Sequence, residues 1–171
     1  ERDRVWGFAR EARMIEGNSY YWPLIENQIR RKLRNHTFGM VRIDEKTGQQ
    51  KPHWGWDFYA VPGTLCFAIC DGRIFDVVGQ RIDKTNFGLS VIFEFTHKER
   101  TLYAAYCHLS GCVVRIGQTV KAGQQLGMTG NSGNAKDMKG LDQHLHLEFR
   151  TSPKPIKGDA KSRVDPIEIF K

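Results

Sequence analysis

Hydrophobic positions along this chain fall into two textures. Over the first 35 residues, Val5, Phe8, Ala9, Ala12 and Ile15 recur at helical spacing, and Gly17-Asn18 reads as a stop. Pro23 opens a second predicted helix. Leu24, Ile25, Ile29 and Leu33 line one of its faces, with Arg30, Arg31, Lys32 and Arg34 around them. From Phe38 onward the apolar runs are short and end at turn residues: Leu65–Cys70 before Asp71-Gly72, Ile74–Val78 before Gly79, Leu89–Phe95, Leu102–Cys107, Val113–Ile116 before Gly117, and Leu145–Phe149. Eleven of the 17 glycines lie between Gly63 and Gly140, which places most turns in this region. No helical run separates the strands, and this argues against a parallel α/β sheet. The pattern predicts a mostly β fold, a compact antiparallel sandwich or barrel, carrying a short helical N-terminal extension. The expected division is a basic helical extension over 1–35 and a β domain over 36–171. Asp159–Arg163 reads as a polar connection before a short closing strand near Ile167–Phe170.

Composition narrows the class. A chain of 171 residues, 40% hydrophobic and 26% charged, is neither disordered nor fibrous and buries a core without needing staples. No apolar run is long enough to span a membrane. With Glu1 first and no leader pattern, the chain is expected to be a mature form or an excised fragment. The net charge is +7 and the pI about 9.4, so attraction to an anionic polymer is expected. Residues 1–42 carry +4 of that excess, which concentrates it in the first quarter. No nucleic-acid-binding motif accompanies the charge.

Four cysteines are too few for a disulfide scaffold. Cys66 and Cys70, four apart on a strand, lie roughly 13 Å from each other and cannot bridge. Cys107 and Cys112 flank a predicted turn at Ser110-Gly111. Buried thiols, a Cys107–Cys112 disulfide and a structural metal site are the alternatives there.

Three patterns among the six histidines carry chemistry. In His144-Leu145-His146, the alternation of Leu145, Leu147 and Phe149 marks a strand whose other face holds His144, His146 and Glu148. Two imidazoles about 7 Å apart on one strand face converge on one small site. In His53-Trp54-Gly55-Trp56-Asp57, an imidazole and a carboxylate are both good zinc ligands, and Gly55 lets the chain curl to bring them together. His108, in Tyr106-Cys107-His108-Leu109, ends a strand-like run. It suits either a catalytic role or a bond to a backbone carbonyl. A catalytic zinc takes three protein ligands and keeps one position open, which leaves further histidines to move protons.

In this order and spacing, the residues resemble the lysostaphin-like, or LytM-type, zinc metalloendopeptidases of bacterial cell walls. The H-x-x-x-D pattern reads His53–Asp57, the Tyr-x-His-Leu pattern Tyr106–Leu109, the glycine-rich turns Gly123–Gly133, and H-x-H His144–His146. The resemblance covers about residues 36 to 170 and implies a duplicated hybrid-motif β fold. It implies Zn2+ bound by His53, Asp57 and His146, with His108 and His144 as the catalytic pair. Tyr106, Asn131 and Trp54 are expected substrate contacts. The implied substrate is a peptide of peptidoglycan, in a periplasmic or secreted setting. Anionic wall polymers, and a protein inhibitor or immunity partner, are candidate partners.

Departures from the pattern are Trp54 and Trp56 between the first two ligands, Asp142-Gln143 before H-x-H, and Leu147 where Phe is common. A non-enzymatic envelope regulator of the same fold is the competing reading, and the intact five-residue set favours the enzyme. Val113–Gly127 also resembles half of a lipoyl-type carrier motif, but no lysine stands at a hairpin tip and the histidines have no role there.

Overall fold

The computed structural model describes residues 12–80, 82, 86–156 and 158–171. Eleven strands form among them: β1 (Gly39–Ile43), β2 (Gln50–His53), β3 (Trp56–Tyr59), β4 (Leu65–Phe67), β5 (Gly72–Val78), β6 (Leu89–His97), β7 (Arg100–Cys112), β8 (Thr119–Val120), β9 (Gln125–Thr129), β10 (His144–Arg150) and β11 (Arg163–Val164). A short helix, α1 (Ile167–Phe170), closes the chain. All pairings are antiparallel, as the alternating pattern predicts. Nine strands make one sheet whose spine runs β11-β10-β7-β6-β5-β8, with β3 on β10 and β9 bridging β4 to β7. β1 and β2 form a separate hairpin.

β10 organises the molecule because its period-two pattern has opposite tasks on its two faces. Leu145, Leu147 and Phe149 are fully buried in the main core with Val91, Phe93, Phe95, Tyr106 and Leu109. His144, His146, Glu148 and Arg150 take the other face and are nearly as buried. On that face a smaller cluster of Ile92, Ala105 and Cys107 is flanked by Phe75, Phe87 and Tyr103.

The segment before residue 36 differs from its sequence pattern. The start of the first predicted helix, Val5 to Ala9, lies outside the described residues. Gly17-Asn18 does reverse the chain, but inside a small hairpin in which Met14 bridges Tyr21 and Ile15 N–H donates to Tyr20 O. The helix expected from Pro23 to Leu33 is absent. Asn27 takes both backbone groups of Leu24, accepting from its N–H at 3.1 Å and donating to its C=O at 2.6 Å. This local pairing competes with helical bonds. Ile29 then bridges Phe58, and Tyr59 N–H donates to Gln28 O, so the segment lies along β3 as an edge strand does. Only two single 3-10 turns follow, Arg30–Lys32 and Arg34–His36. Leu24 and Ile15 sit in the main core.

Two further expectations change. Ile167–Phe170 is a helix, not a strand: the Asp165 carboxylate accepts the Ile167 N–H and Pro166 precedes the first turn, both start signals. Val113–Ile116 is irregular, with Val114 buried and Val113 and Ile116 exposed. All four cysteines are free thiols. Burial pushes Cys66 and Cys107 far up and Cys70 to about 12, so these three stay protonated at neutral pH. Residues 110–111 lie within the continuous strand β7, so the turn expected to join Cys107 and Cys112 does not form.

Leu24→Ala removes a fully buried side chain of the N-terminal segment from this core. We expect a loss of about 2–5 kcal/mol in urea unfolding. A loss below about 0.5 kcal/mol, the range of surface changes, would mean that the segment is an independent appendage.

Candidate metal centre

β3 lies beside β10 with Asp57 directly opposite His146, so a carboxylate and an imidazole meet across one antiparallel pair. His53 arrives from the end of β2 in the other sheet. The two-residue link Trp54-Gly55 carries the chain across. The need for Gly55 is close approach, not a left-handed bend: a Cβ there would lie 2.4 Å from Leu147 O and 2.9 Å from the His146 ring. Trp56 turns inward onto Phe58 and Phe170, while Trp54 packs on Phe38 at the rim of the groove.

Three atoms converge. His53 Nε2 is 3.1 Å from Asp57 Oδ1 and 3.1 Å from His146 Nδ1, and His146 Nδ1 is 2.8 Å from Asp57 Oδ1. The opposite ring nitrogens are engaged: His53 Nδ1 with Thr37 O at 2.9 Å, His146 Nε2 with Glu148 Oε2 at 3.2 Å. Protons assigned to those outer nitrogens leave lone pairs on the inner ones. Three lone pairs then face one another, which is repulsive unless a proton or a cation sits between them. Tetrahedral coordination at about 2.0–2.1 Å sets ligand atoms about 3.3 Å apart, close to the spacing found. The donor set fits a metal ion, and His53, Asp57 and His146 form a metal-competent cluster.

The outer shell holds this cluster by charge. Asp57 Oδ2 accepts from Arg42 at 2.7 Å and meets His36 Nδ1 at 3.3 Å. Burial alone would raise the Asp57 pKa, but the neighbouring His146, His36 and His53 rings outweigh it and hold the carboxyl well below its usual range. Glu148 Oε1 is shared by Arg150 and Arg163, each at 2.8 Å. Burial opposes a charge on His146, yet Asp57 and Glu148 beside it raise its pKa to about 9.

Two more histidines face the same groove, of about 410 Å³. Between Val91↔Tyr106 and Leu89↔Leu109, β7 advances one residue more than β6, so a bulge falls at Cys107-His108. His108 adopts φ +62 there, which turns its ring to the metal side although simple alternation would send it into the core. Its Nδ1 donates to Ser132 O at 2.8 Å. Ser132 is fixed where Gly88 and Gly133 meet backbone to backbone; a Cβ on Gly133 would lie 2.3 Å from Gly88 N. His144 Nδ1 donates to Asp142 O at 2.8 Å, and its ring stands edge-on to His108 at 5.2 Å. Burial, reinforced at His108 by neighbouring imidazoles, lowers the pKa values of His108 and His144 to about 3 and about 4. Both rings are neutral at pH 7.

Five of the eight site residues expected from the sequence thus gather at one point, and Trp54 lines the same groove. Tyr106 does not reach it: its ring is fully buried and its hydroxyl donates to Phe67 O at 2.9 Å. Asn131 ties its own loop, donating to Met138 O at 3.0 Å, and does not line the groove. His36, Arg30 and Arg42 were not foreseen. Arg30 and His36 come in on the two 3-10 turns and Arg42 on β1, and no local pattern says which carboxylate they meet.

Residues 51–165 match the profile described as peptidase family M23. The chain belongs to peptidase family M23. Among relatives of this M23 chain, "Peptidoglycan DD-endopeptidase ShyC" of Vibrio cholerae is 31% identical over 112 residues, covering 66% of this chain and 23% of that protein. "Glycyl-glycine endopeptidase ALE-1" of Staphylococcus capitis is 32% identical over 100 residues, covering 58% of this chain and 25% of that protein. The chain spans about a quarter of the length of these curated relatives. The crystallised catalytic domain of lysostaphin from Staphylococcus simulans shares the fold: TM-score 0.58 and 24% identity, covering 85% of this chain and 98% of that one. The M23 domain is mostly β, as expected, and no helix among its described residues is long and apolar enough to cross a membrane.

Metal binding is expected to displace the proton that His146 holds below pH 9. Between pH 7 and 9 the apparent affinity of the folded protein for a divalent ion should rise about tenfold per pH unit, then level off. Titration calorimetry at pH 7 in buffers of different ionisation enthalpy should report about one proton released. No buffer dependence would contradict the assignment of that proton to the ligand set.

Proposed function

We propose that this M23 chain is a zinc-dependent endopeptidase. It hydrolyses peptide bonds in the cross-links or stem peptides of bacterial peptidoglycan, outside the cytoplasm. The observation that carries the reading is the pairing of the His53–Asp57–His146 cluster with two neutral histidines on the same groove wall. The donor types, two imidazoles and one carboxylate, suit zinc and leave a position open. Substrate class rests on the family and on relatives named as peptidoglycan endopeptidases. The positive net charge also suits an anionic wall.

When bound, zinc supplies a Lewis acid for the scissile carbonyl and lowers the pKa of a coordinated water. The residues of the chain supply the proton traffic. His108 and His144 each spend Nδ1 on a backbone carbonyl, so each keeps Nε2 as a free base. One of them takes the proton of the attacking water, and the imidazolium so formed is the acid for the leaving amine. The other, neutral beside it with ring centroids 5.2 Å apart, lines the groove in which the substrate carbonyl would sit. Arg42 and His36 hold Asp57 ionised and oriented, a task that survives substrate entry because both act on Oδ2 while Oδ1 faces the cluster.

His146→Ala is expected to lose zinc and turnover together, because two remaining ligands cannot hold a closed site. His108→Ala is expected to keep one equivalent of zinc and lose turnover by about 10²–10⁴-fold, the usual worth of a general acid or base. Zinc content by elemental analysis, and release of soluble peptides from purified sacculi, check both. Zinc retained in the first variant or lost in the second would overturn the roles. A zinc-loaded wild type that releases no peptide would favour an envelope regulator.

A further inference from the structure

One cation in the groove shares both of its counter-ions with other arginines. Arg30 lines the groove beside the metal cluster, with its side chain only 12% exposed. Its Nη2 donates to Asp142 Oδ1 at 2.8 Å, but Asp142 is already gripped by both Nε and Nη2 of Arg31. Its Nη1 stands 3.8 Å from Asp57 Oδ2, beyond hydrogen-bond length, and that oxygen already accepts from Arg42 at 2.7 Å. Its Nε is buried and has no hydrogen-bond partner among the described residues. The other groove cations, Arg42 and Arg163, meet Asp57 at 2.7 Å and Glu148 at 2.8 Å, Glu148 being shared with Arg150. Of the fork's five donors, one is therefore spent in a hydrogen bond, although a nearly buried guanidinium is costly to leave unpaired.

The backbone is strained to place it. Arg31 and Lys32, the two residues after Arg30, both lie in the left-handed region, at φ +52 and +55. Neither is glycine or asparagine, and each such residue costs on the order of 1 kcal/mol. The strain sends the guanidiniums of Arg30 and Arg31 together to Asp142, two residues before His144, and leaves the Arg30 fork between Asp142 and Asp57.

We propose that Arg30 binds a carboxylate of the peptide, so that the groove prefers an acidic stem peptide to the same peptide amidated or to an uncharged glycine bridge. The proposal rests on the endopeptidase reading for the nature of the peptide, but not for the binding itself. A planar fork and a carboxylate are matched in geometry and charge, and such a pair carries about 1.5–3 kcal/mol, or about 10- to 100-fold in affinity.

The test compares a stem tetrapeptide carrying free carboxylates with the same tetrapeptide amidated, titrated calorimetrically into the metal-loaded protein. The acid is expected to bind at least about tenfold tighter. In Arg30→Gln that ratio should fall toward one, with metal content and unfolding midpoint unchanged. In Arg31→Gln, which leaves the Arg30 fork in place, the ratio should persist. Equal binding of acid and amide by the wild type would overturn the proposal. So would a ratio that persists in Arg30→Gln, which would assign the carboxylate to the metal. Turnover of cross-linked dimers in acid and amide forms separates the two claims. If neither dimer is cleaved while the binding ratio holds, the endopeptidase reading fails and the anchor stands. If both are cleaved with equal kcat/KM and bind equally, the anchor fails and the endopeptidase reading stands.

Discussion

The convergence of three donor atoms that need a proton or a cation between them sets the terms for the rest of this molecule. His53 Nε2, Asp57 Oδ1 and His146 Nδ1 are held within 2.8 to 3.1 Å of one another in a buried position, an arrangement that a chain does not adopt without compensation. The compensation comes from strand pairing, which fixes Asp57 opposite His146, and from outer bonds that fix each donor atom's role. Arg42 and His36 keep the carboxylate charged, and Thr37 O and Glu148 direct the ring protons outward. A metal-ligating histidine ordinarily has such a partner on its second nitrogen. Both histidines of the cluster have one here, as do His108 and His144 beside them.

That constraint extends into the core. β10 has to bury leucine and phenylalanine on one face while burying histidine, glutamate and arginine on the other. The polar face is affordable because every charge on it has a partner: His146 with Glu148, and Glu148 with Arg150 and Arg163. A buried charge whose partner is removed costs several kcal/mol. The structural and chemical roles of these residues are therefore not separable by simple truncation. Glycines enter for the same reason. Gly55 gives the link between His53 and Asp57 room against β10, and the Gly88–Gly133 contact fixes the carbonyl that orients His108.

The sequence was legible where periodicity and chemistry coincide. Period-two alternation around His144 and His146 gives strand, face and core partners at once. The ordered histidine motifs bring the five central residues together without knowledge of the fold. Reading failed where a side chain overrides periodicity. Leu24, Ile25, Ile29 and Leu33 have a helical spacing, yet Asn27 captures the backbone of Leu24 and Ile29 pairs with Phe58, so the segment lies flat along β3. Tyr106 and Asn131 matched the motif but serve packing and loop closure. Arg30, Arg42 and His36 carry no site signal, because only the tertiary structure decides which carboxylate they meet. The charge excess of the first 42 residues looked like an appendage feature. In the fold, part of it is wall and counter-charge of the groove itself.

The central claim is that His53, Asp57 and His146 hold the metal and that His108 and His144 face it without binding it. Anomalous diffraction at the zinc edge from crystals of the zinc-loaded protein tests this directly. The account predicts one peak at bonding distance from His53 Nε2, Asp57 Oδ1 and His146 Nδ1, with Nε2 of His108 and of His144 outside the coordination sphere. A peak bonded to His108 or His144, or an empty cluster in zinc-saturated crystals, would contradict it.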